Sequence, residues 1–328
     1  MYKSFYGFQK NPFEITPDPS FLFATKRHNE ALAMLYYGVR RHKGFVVLTG
    51  EVGTGKTLLL RSLLQLLKLS EVNYAYIFNS RLSSMEFLQY VAADFRLPVA
   101  GKSKGEILLA FSKFVVTNFQ KGLTTVLVVD EAHHLPLDVL EEIRLLTNLE
   151  TTHEKLIQIL LVGQPELDEK LDSVDLRQLK QRIALRSHLG PLDLEETYGY
   201  IRKRMQVAGH SNPDQIFPME TVLEVHRLST GIPRVINTIC ENALIHGYAR
   251  QLAQLSPEVI EQVAHDFRLD ILHCGHFGEL GISGKEPTEL EQAAKTLVDL
   301  LASIRRAQSN GDQLRGVIGD ISKHEPYI

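Results

Sequence analysis

The chain has 328 residues, with 36 Lys plus Arg against 39 Asp plus Glu (formal charge −3) and 44% hydrophobic residues. At about 150 residues per domain that leaves room for two domains, and the composition excludes a disordered or collagen-like chain. The charge gives no global pull toward nucleic acid, the cysteines Cys240 and Cys274 cannot build a disulfide framework, and no apolar stretch approaches the ~18 residues that span a bilayer. The stretch from Met1 to Gly7 lacks the apolar core of a signal peptide, so the expectation is a cytoplasmic protein with no integral membrane segment.

Residues 1–24 are rich in Pro and Phe, which excludes a regular helix and predicts an ordered arm lying against the domain after it. Between 26 and 41, Ala31, Leu32, Leu35, Tyr36 and Val39 recur at helical spacing. Apolar runs at 45–48, 74–78, 126–129 and 157–162 read as buried strands, separated by helical patterns at 58–69, 84–95, 104–118 and 137–150. Such alternation predicts an α/β fold over residues 25–192, a parallel sheet covered by helices on both faces. Beyond Leu192 the strand signals stop. Helices are predicted at 193–208, 219–230, 233–252 and 256–269, two of them with start signals at Pro233 and at Ser256-Pro257-Glu258. Residues 193–270 therefore read as an all-helical domain. Residues 271–328 read as a linker at 273–288, an amphipathic helix carrying Leu290, Ala294, Leu297, Leu301 and Ile304, and a polar tail. That helix suits contact with a partner or a second copy.

Gly50-Glu51-Val52-Gly53-Thr54-Gly55-Lys56-Thr57, followed by Leu58, fits G-x-x-x-x-G-K-[ST] between a predicted strand and a predicted helix. The glycines let successive backbone N–H groups turn toward phosphate oxygens, and the helix adds the positive end of its dipole. In that pattern Lys56 reaches the β- and γ-phosphates of ATP and the Thr57 hydroxyl ligates Mg²⁺. A second strand must place the metal and the water, and the run at 126–129 ends in Asp130 and Glu131. Asp130 suits the Mg²⁺ shell and Glu131 the polarisation of an attacking water, which points to hydrolysis rather than binding alone. Asp130-Glu131-Ala132-His133 also spells the signature of DEAH-box helicases, but those need two tandem sheet domains, and the second half here reads as helical. His133 and His134 lack accompanying ligands at metal spacing and read as a polar loop.

Further segments resemble the AAA+ ATPases, whose fold is a P-loop sheet followed by a helical lid. Gly163-Gln164-Pro165-Glu166-Leu167 is similar to sensor 1, which implies that Gln164 contacts the γ-phosphate or the water. Gly231-Ile232-Pro233-Arg234 resembles sensor 2, which implies that Arg234 reaches back to the phosphates from the lid. The segment from Leu176 to Ile183 resembles the arginine-finger segment. That implies an Arg projecting into a neighbouring subunit's ATP site, Arg182 first, with Arg177 and Arg186 as alternatives. Hydrolysis would then depend on self-association into a ring or filament.

The arm narrows the resemblance. Phe5-Tyr6-Gly7-Phe8, Asn11-Pro12-Phe13, Phe21-Leu22-Phe23 and His28-x-Glu30-Ala31-Leu32, with the loop from Gly50 to Thr57, resemble the general secretion pathway protein A (ExeA-like) group over about residues 1–270. In this superfamily the arm packs near the adenine, which nominates Pro12, Phe13 or Phe23 for that place, core packing being the other reading. The resemblance implies an assembly or regulatory ATPase of a secretion, pilus or polysaccharide-export system. It would act in the cytoplasm, or peripherally at the inner membrane, on a protein partner in a membrane-associated complex. Longer members continue into a transmembrane helix and a periplasmic peptidoglycan-binding domain, for which residues 271–328 give no signal. The alternative is a TniB/TnsC-like ATPase that binds DNA and regulates transposition. The basic clusters Arg40-Arg41-His42-Lys43 and Arg202-Lys203-Arg204 read as solvated helix faces, and the net charge leans toward a protein partner.

Overall fold

Strands covered on both faces need no polar alternation, and three segments show none. Every residue of β1 (Phe45–Gly50), β3 (Thr124–Val129) and β4 (Ile157–Gly163) is buried. In the computed structural model, which describes residues 1–268 apart from 17, 69–70, 79–80 and 153, these strands are joined by β2 (Val72–Ile77) and β5 (Leu185–Leu189). The five form one sheet of order β2-β3-β4-β1-β5, parallel at every pairing. The helices are α1 (Tyr2–Phe5), α2 (Lys26–Arg40), α3 (Lys56–Leu67), α4 (Ser84–Asp94), α5 (Lys104–Gln120), α6 (Leu137–Leu146), α7 (Glu166–Leu171) and α8 (Arg177–Lys180). After β5 come α9 (Leu194–Val207), α10 (Met219–Ser229), α11 (Pro233–Ala249) and α12 (Pro257–Asp266), and no strand among the described residues.

Helix starts obey local chemistry. Ser83 with Glu86, Ser103 with Glu106 and Asp193 with Glu196 form reciprocal capping boxes at α4, α5 and α9, each satisfying two otherwise orphaned N–H groups. Pro233 occupies the first turn of α11, where its missing N–H costs nothing. One apolar core lies between the sheet and helices α4 to α8, built on residues such as Phe87, Leu127, Ile143 and Leu161. A second joins α9 to α12 around Met205, Phe217, Ile236 and Ile260. Both lie in one compact unit that holds all of the described residues. The expected linker and amphipathic helix after residue 270 lie outside the described residues.

The arm departs from expectation in two ways. Residues 2–5 make one helical turn, which is open to them because the first proline is Pro12. Its aromatics also cover the helical part rather than the sheet: Tyr2, Tyr6, Phe8, Phe13 and Phe21 complete the second core. The reason is that α9 to α12 leave an apolar face that nothing else among the described residues covers. Phe13 is fully buried with its ring 5.9 Å from that of Phe217. The Tyr2 hydroxyl donates to Glu241 at 2.8 Å and the Tyr6 hydroxyl to the Leu252 carbonyl at 2.9 Å.

β5 carries no strand signal in the sequence. It is an edge strand in which Leu185 to His188 are half-buried or exposed and only Leu189 is buried, so its composition shows no apolar run. Phe13→Ala should cost about 3–5 kcal/mol, the usual penalty for a cavity left by a buried Phe. Urea unfolding followed by circular dichroism reads this, and an unchanged midpoint would show that the arm does not belong to the cooperative core.

Candidate functional site

The loop after β1 is shaped by three glycines. A side chain at Gly50 would collide with the Leu189 carbonyl on β5. Gly53 (φ +85°) and Gly55 (φ +101°) are left-handed, a conformation that only glycine adopts freely. A Cβ on Gly53 would stand 2.5 Å from the Cβ of Arg234. Gly55 caps α3, so the unpaired N–H groups of the first helical turn face outward as an anion site.

A cavity of about 330 Å³ opens over this loop, and Val52, Gly53, Thr54, Gly55, Lys56, Thr57 and Leu58 line one wall. Glu131, Gln164 and Arg234 line it as well. Gln164 enters because β4 lies between β1 and β3, so that the residue following Gly163 emerges between the loop and the paired acids. Arg234 enters because its backbone N–H donates to the Gly53 carbonyl at 3.2 Å.

The carbonyls of Gly50 and Glu51 accept from Lys56 Nζ at 2.6 and 2.9 Å. Burial lowers the Lys56 pKa against the opposing pull of Glu131 and Asp130. Asp130 is buried behind Thr57, whose hydroxyl donates to Asp130 Oδ2 at 3.2 Å. A hydroxyl and a buried carboxylate side by side, both hard oxygen donors, fit a Mg²⁺ ion, and no third protein ligand is needed because this ion keeps several waters. Glu131 sits in the left-handed region (φ +51°), a strained conformation for a non-glycine residue. Arg182 lies elsewhere, donating to the end of α6 through the Arg144 carbonyl at 3.3 Å, Thr147 Oγ1 at 2.5 Å and Asn148 Oδ1 at 2.6 Å. Arg186 pairs with Asp168 at 3.3 Å and Asp172 at 3.5 Å. Arg177 is exposed, and its side chain makes no hydrogen bond or ion pair among the described residues.

Four residues of the site escape a reading of the sequence. Tyr76 donates to Asp130 Oδ2 at 2.7 Å, and burial, with the Asp130 charge, raises its pKa. His133 reads as part of a polar loop, but its ring is buried, 3.0 Å from Gln164 Nε2 and 3.4 Å from Glu131 Oε2. Arg204 reads as surface charge. It is buried instead, donating to the carbonyls of Pro12 at 2.5 Å and Glu14 at 3.1 Å, with its guanidinium 4.7 Å from the Phe21 ring centre. Thr197, Tyr200 and Ile201 are buried on the same face of α9, so helical periodicity holds the signal. Of Pro12, Phe13 and Phe23, only Phe23 lines the cavity.

The fourth is His28, buried at the start of α2. Its Nδ1 lies 2.8 Å from Thr25 Oγ1 and its Nε2 3.1 Å from the Thr54 carbonyl. Burial lowers its pKa in the fold, below the ~6.5 of an unfolded chain. The unfolded state therefore takes up the proton first, so this contribution to stability is complete above about pH 6.5 and drains away as the pH falls below it. His28→Gln should flatten the decline in urea stability between about pH 6.5 and 5. An unchanged slope would remove His28 as its source.

Residues 39–171 match the family model described as AAA domain. Over 251 residues, 76% of this chain, the sequence is 47% identical to general secretion pathway protein A of Aeromonas hydrophila, and the chain spans about half (45%) of that curated relative's length. Among solved structures, the Aeropyrum pernix ORC2 protein in its ADPNP-ADP complexes is similar with a TM-score of 0.58 at 17% identity, covering 79% of this chain and 72% of that one. The ORC1 protein of the same organism, in complex with DNA, gives 0.59 at 17% identity over 79% and 70% of the two chains. Cdc6p of Pyrobaculum aerophilum gives 0.58 at 18% over 75% and 70%. At such identities the structural likeness speaks to the fold alone. Among the described residues no helix is long and apolar enough to cross a membrane. With the AAA domain matched from β1 through α7 and the same fold in these neighbours, the chain belongs to the AAA+ P-loop proteins and is a relative of general secretion pathway protein A.

Proposed function

We propose that the chain binds ATP with Mg²⁺ in the cavity above the glycine loop and hydrolyses it. It would serve as an assembly or regulatory ATPase of a secretion, pilus or polysaccharide-export system. The observation that carries this is the convergence, on one cavity, of the loop from Val52 to Leu58, Glu131, Gln164 and Arg234, with Asp130 hydrogen-bonded to Thr57 behind it.

Each group has a task that its position allows. The loop N–H groups and the start of α3 hold the phosphates, and Lys56 leaves its two carbonyls to meet them. Thr57 and Asp130 would hold the Mg²⁺ ion, which neutralises charge on the β- and γ-phosphates. Glu131 polarises the attacking water while Gln164 and Arg234 contact the γ-phosphate from two sides. Phe23 lines the cavity with Tyr200, their rings 6.1 Å apart, and offers a face for the base.

An arginine from a neighbouring copy completes the set, which makes turnover depend on self-association. Arg182, nominated by resemblance, would have to leave the end of α6, and Arg186 would have to leave its two aspartates, whereas Arg177 is already exposed. The relative's name, general secretion pathway protein A, supports a membrane-associated protein complex as the partner, with the chain itself cytoplasmic or peripheral at the inner membrane. Of the two basic clusters that a DNA-binding alternative would use, the second loses Arg204 to the interior.

Lys56→Ala should abolish binding of a fluorescent ATP analogue. Glu131→Gln should keep that binding while turnover drops by about 10²–10⁴-fold, the usual worth of a positioned acid or base. Turnover that survives Glu131→Gln would sink the hydrolytic assignment. Retention on duplex DNA that falls steeply with salt would move the protein to the DNA-binding class.

A further inference from the structure

Asp130 is the buried acid of the site, and its two oxygens are differently engaged. Oδ1 accepts from the backbone N–H of Glu131 at 3.0 Å. Oδ2 accepts from two hydroxyls, that of Thr57 at 3.2 Å and that of Tyr76 at 2.7 Å. Thr57 belongs to the glycine loop, but Tyr76 comes from β2, the strand at the edge of the sheet. It stands beside Val128 in the ladder, two residues short of Asp130, and side chains two apart on a strand share a face. The pairing continues as the Asp130 N–H donates to the Ile77 carbonyl at 2.8 Å. On the outer side the Tyr76 N–H donates to Asp94 Oδ2 at the end of α4, at 2.7 Å. The backbone under the ring is thus held from both edges.

A carboxylate has about four lone-pair positions, two on each oxygen. The two hydroxyls fill both positions of Oδ2, and the Glu131 N–H fills one of Oδ1. On the ATP reading a divalent cation meets Thr57, and Oδ2 is the Asp130 oxygen on the Thr57 side. A direct bond from Oδ2 to that cation would cost one of the two hydroxyl bonds, of which the shorter comes from Tyr76. A water belonging to the cation asks for less, because the remaining position of Oδ1 can accept its hydrogen bond. Cations differ in which arrangement suits them. Mg²⁺ gives up water reluctantly and keeps several, whereas Ca²⁺ collects a larger set of oxygens, directly bound carboxylates among them.

We propose that Tyr76 is a positioning residue that sets the cation preference of the site. By filling Oδ2 it confines Asp130 to contact through water, which favours Mg²⁺ over Ca²⁺. The phenol acts through Asp130 alone. The inference rests on the ATP reading for the presence of a cation at Thr57, while the hydrogen bonds that make the selection belong to this chain.

Binding of a fluorescent, non-hydrolysed ATP analogue, titrated with Mg²⁺, with Ca²⁺ and with EDTA, tests it. Tyr76→Phe removes one oxygen and keeps the ring, and Tyr76→Leu removes the same hydroxyl should the first variant not fold. Affinity with Mg²⁺ should stay nearly unchanged, while affinity with Ca²⁺ should tighten about tenfold, the lower end of what a partner of a metal-binding group is worth. A purely structural role for Tyr76 would weaken binding with both cations alike, so an unchanged ratio between them overturns the inference. Mn²⁺ accepts the same oxygen ligands and reports them by electron–nuclear double resonance. In protein carrying ¹³C at its aspartate carboxylates, a strong ¹³C coupling marks a directly bound carboxylate. It should be absent in the wild type and present in Tyr76→Phe. Its presence in the wild type overturns the inference whether or not any variant folds. Wild-type protein with the expected cation preference but no turnover leaves the role of Tyr76 standing and removes the hydrolytic reading. Wild-type binding that is the same in EDTA as in Mg²⁺ removes the cation and this inference with it, and failure to bind the analogue at all removes the ATP reading as well.

Discussion

The site depends on one constraint of the sheet: β4 is hydrogen-bonded between β1 and β3, in parallel, with Leu48 beside Val162 and Val129 beside Leu161. Parallel strands end on the same edge, so the segments leaving these three strands emerge side by side. The glycine loop leaves β1, Asp130 and Glu131 leave β3, and Gln164 leaves β4 between them. Nothing in the loops has to search for this arrangement. It is set by ladder hydrogen bonds among fully buried residues, where a slip of register would bury polar groups without partners. Ligands of open α/β sheets collect at such edges for this reason.

A second junction builds the rest of the cavity. The first turn of α11 rests on the loop through Arg234 N–H and the Gly53 carbonyl, at a spacing that a side chain on residue 53 would not allow. The turn before it is equally tight, because a side chain on Gly231 would collide with the Leu192 carbonyl. Arg204 then ties the arm across the far end through two arm carbonyls. The helical part and the arm therefore do for the cavity what the sheet does for the reacting end. They bring residues from both ends of the described chain onto one loop, and stability of the second core becomes a condition for the shape of the site.

How much is legible in the sequence depends on the range of each interaction. The strands β1, β3 and β4 show as apolar runs because both faces are buried, and the loop shows because its function fixes glycine at set spacing within eight residues. β5 is silent because an edge strand needs only alternate positions covered. Tyr76 and His133 are silent for a different reason. Their partners lie 54 and 31 residues away, and a contact of that separation leaves no periodic trace. His28 reaches only 26 residues, but its contact is to a backbone carbonyl, which any residue supplies. Arg182 is the converse case: a family pattern points to it, and the fold shows what else the same side chain does, holding the carbonyl end of α6 where a cation suits the dipole.

Charge balance in the cavity bears on which groups would hold a nucleotide. Lys56, Arg204 and Arg234 line it, but so do Glu14, Asp18 and Glu131, and Asp130 lies just behind. Side chains alone thus offer a polyphosphate no net positive charge, and Arg204 is already committed to the arm. On the ATP reading the attraction would come from groups without formal charge of their own, the N–H groups of the loop and of the first turn of α3, together with a cation that Thr57 and Asp130 would hold. Backbone donors work only where the chain can turn them inward, so on that reading Gly53 and Gly55 would matter to phosphate binding as directly as Lys56. An uncharged cradle also suits a cycle in which the γ-phosphate is lost, because a cavity lined only with cations would hold the products too firmly. Two of the acids that weaken this attraction, Asp130 and Glu131, are the ones that the ATP reading puts at the metal and the water.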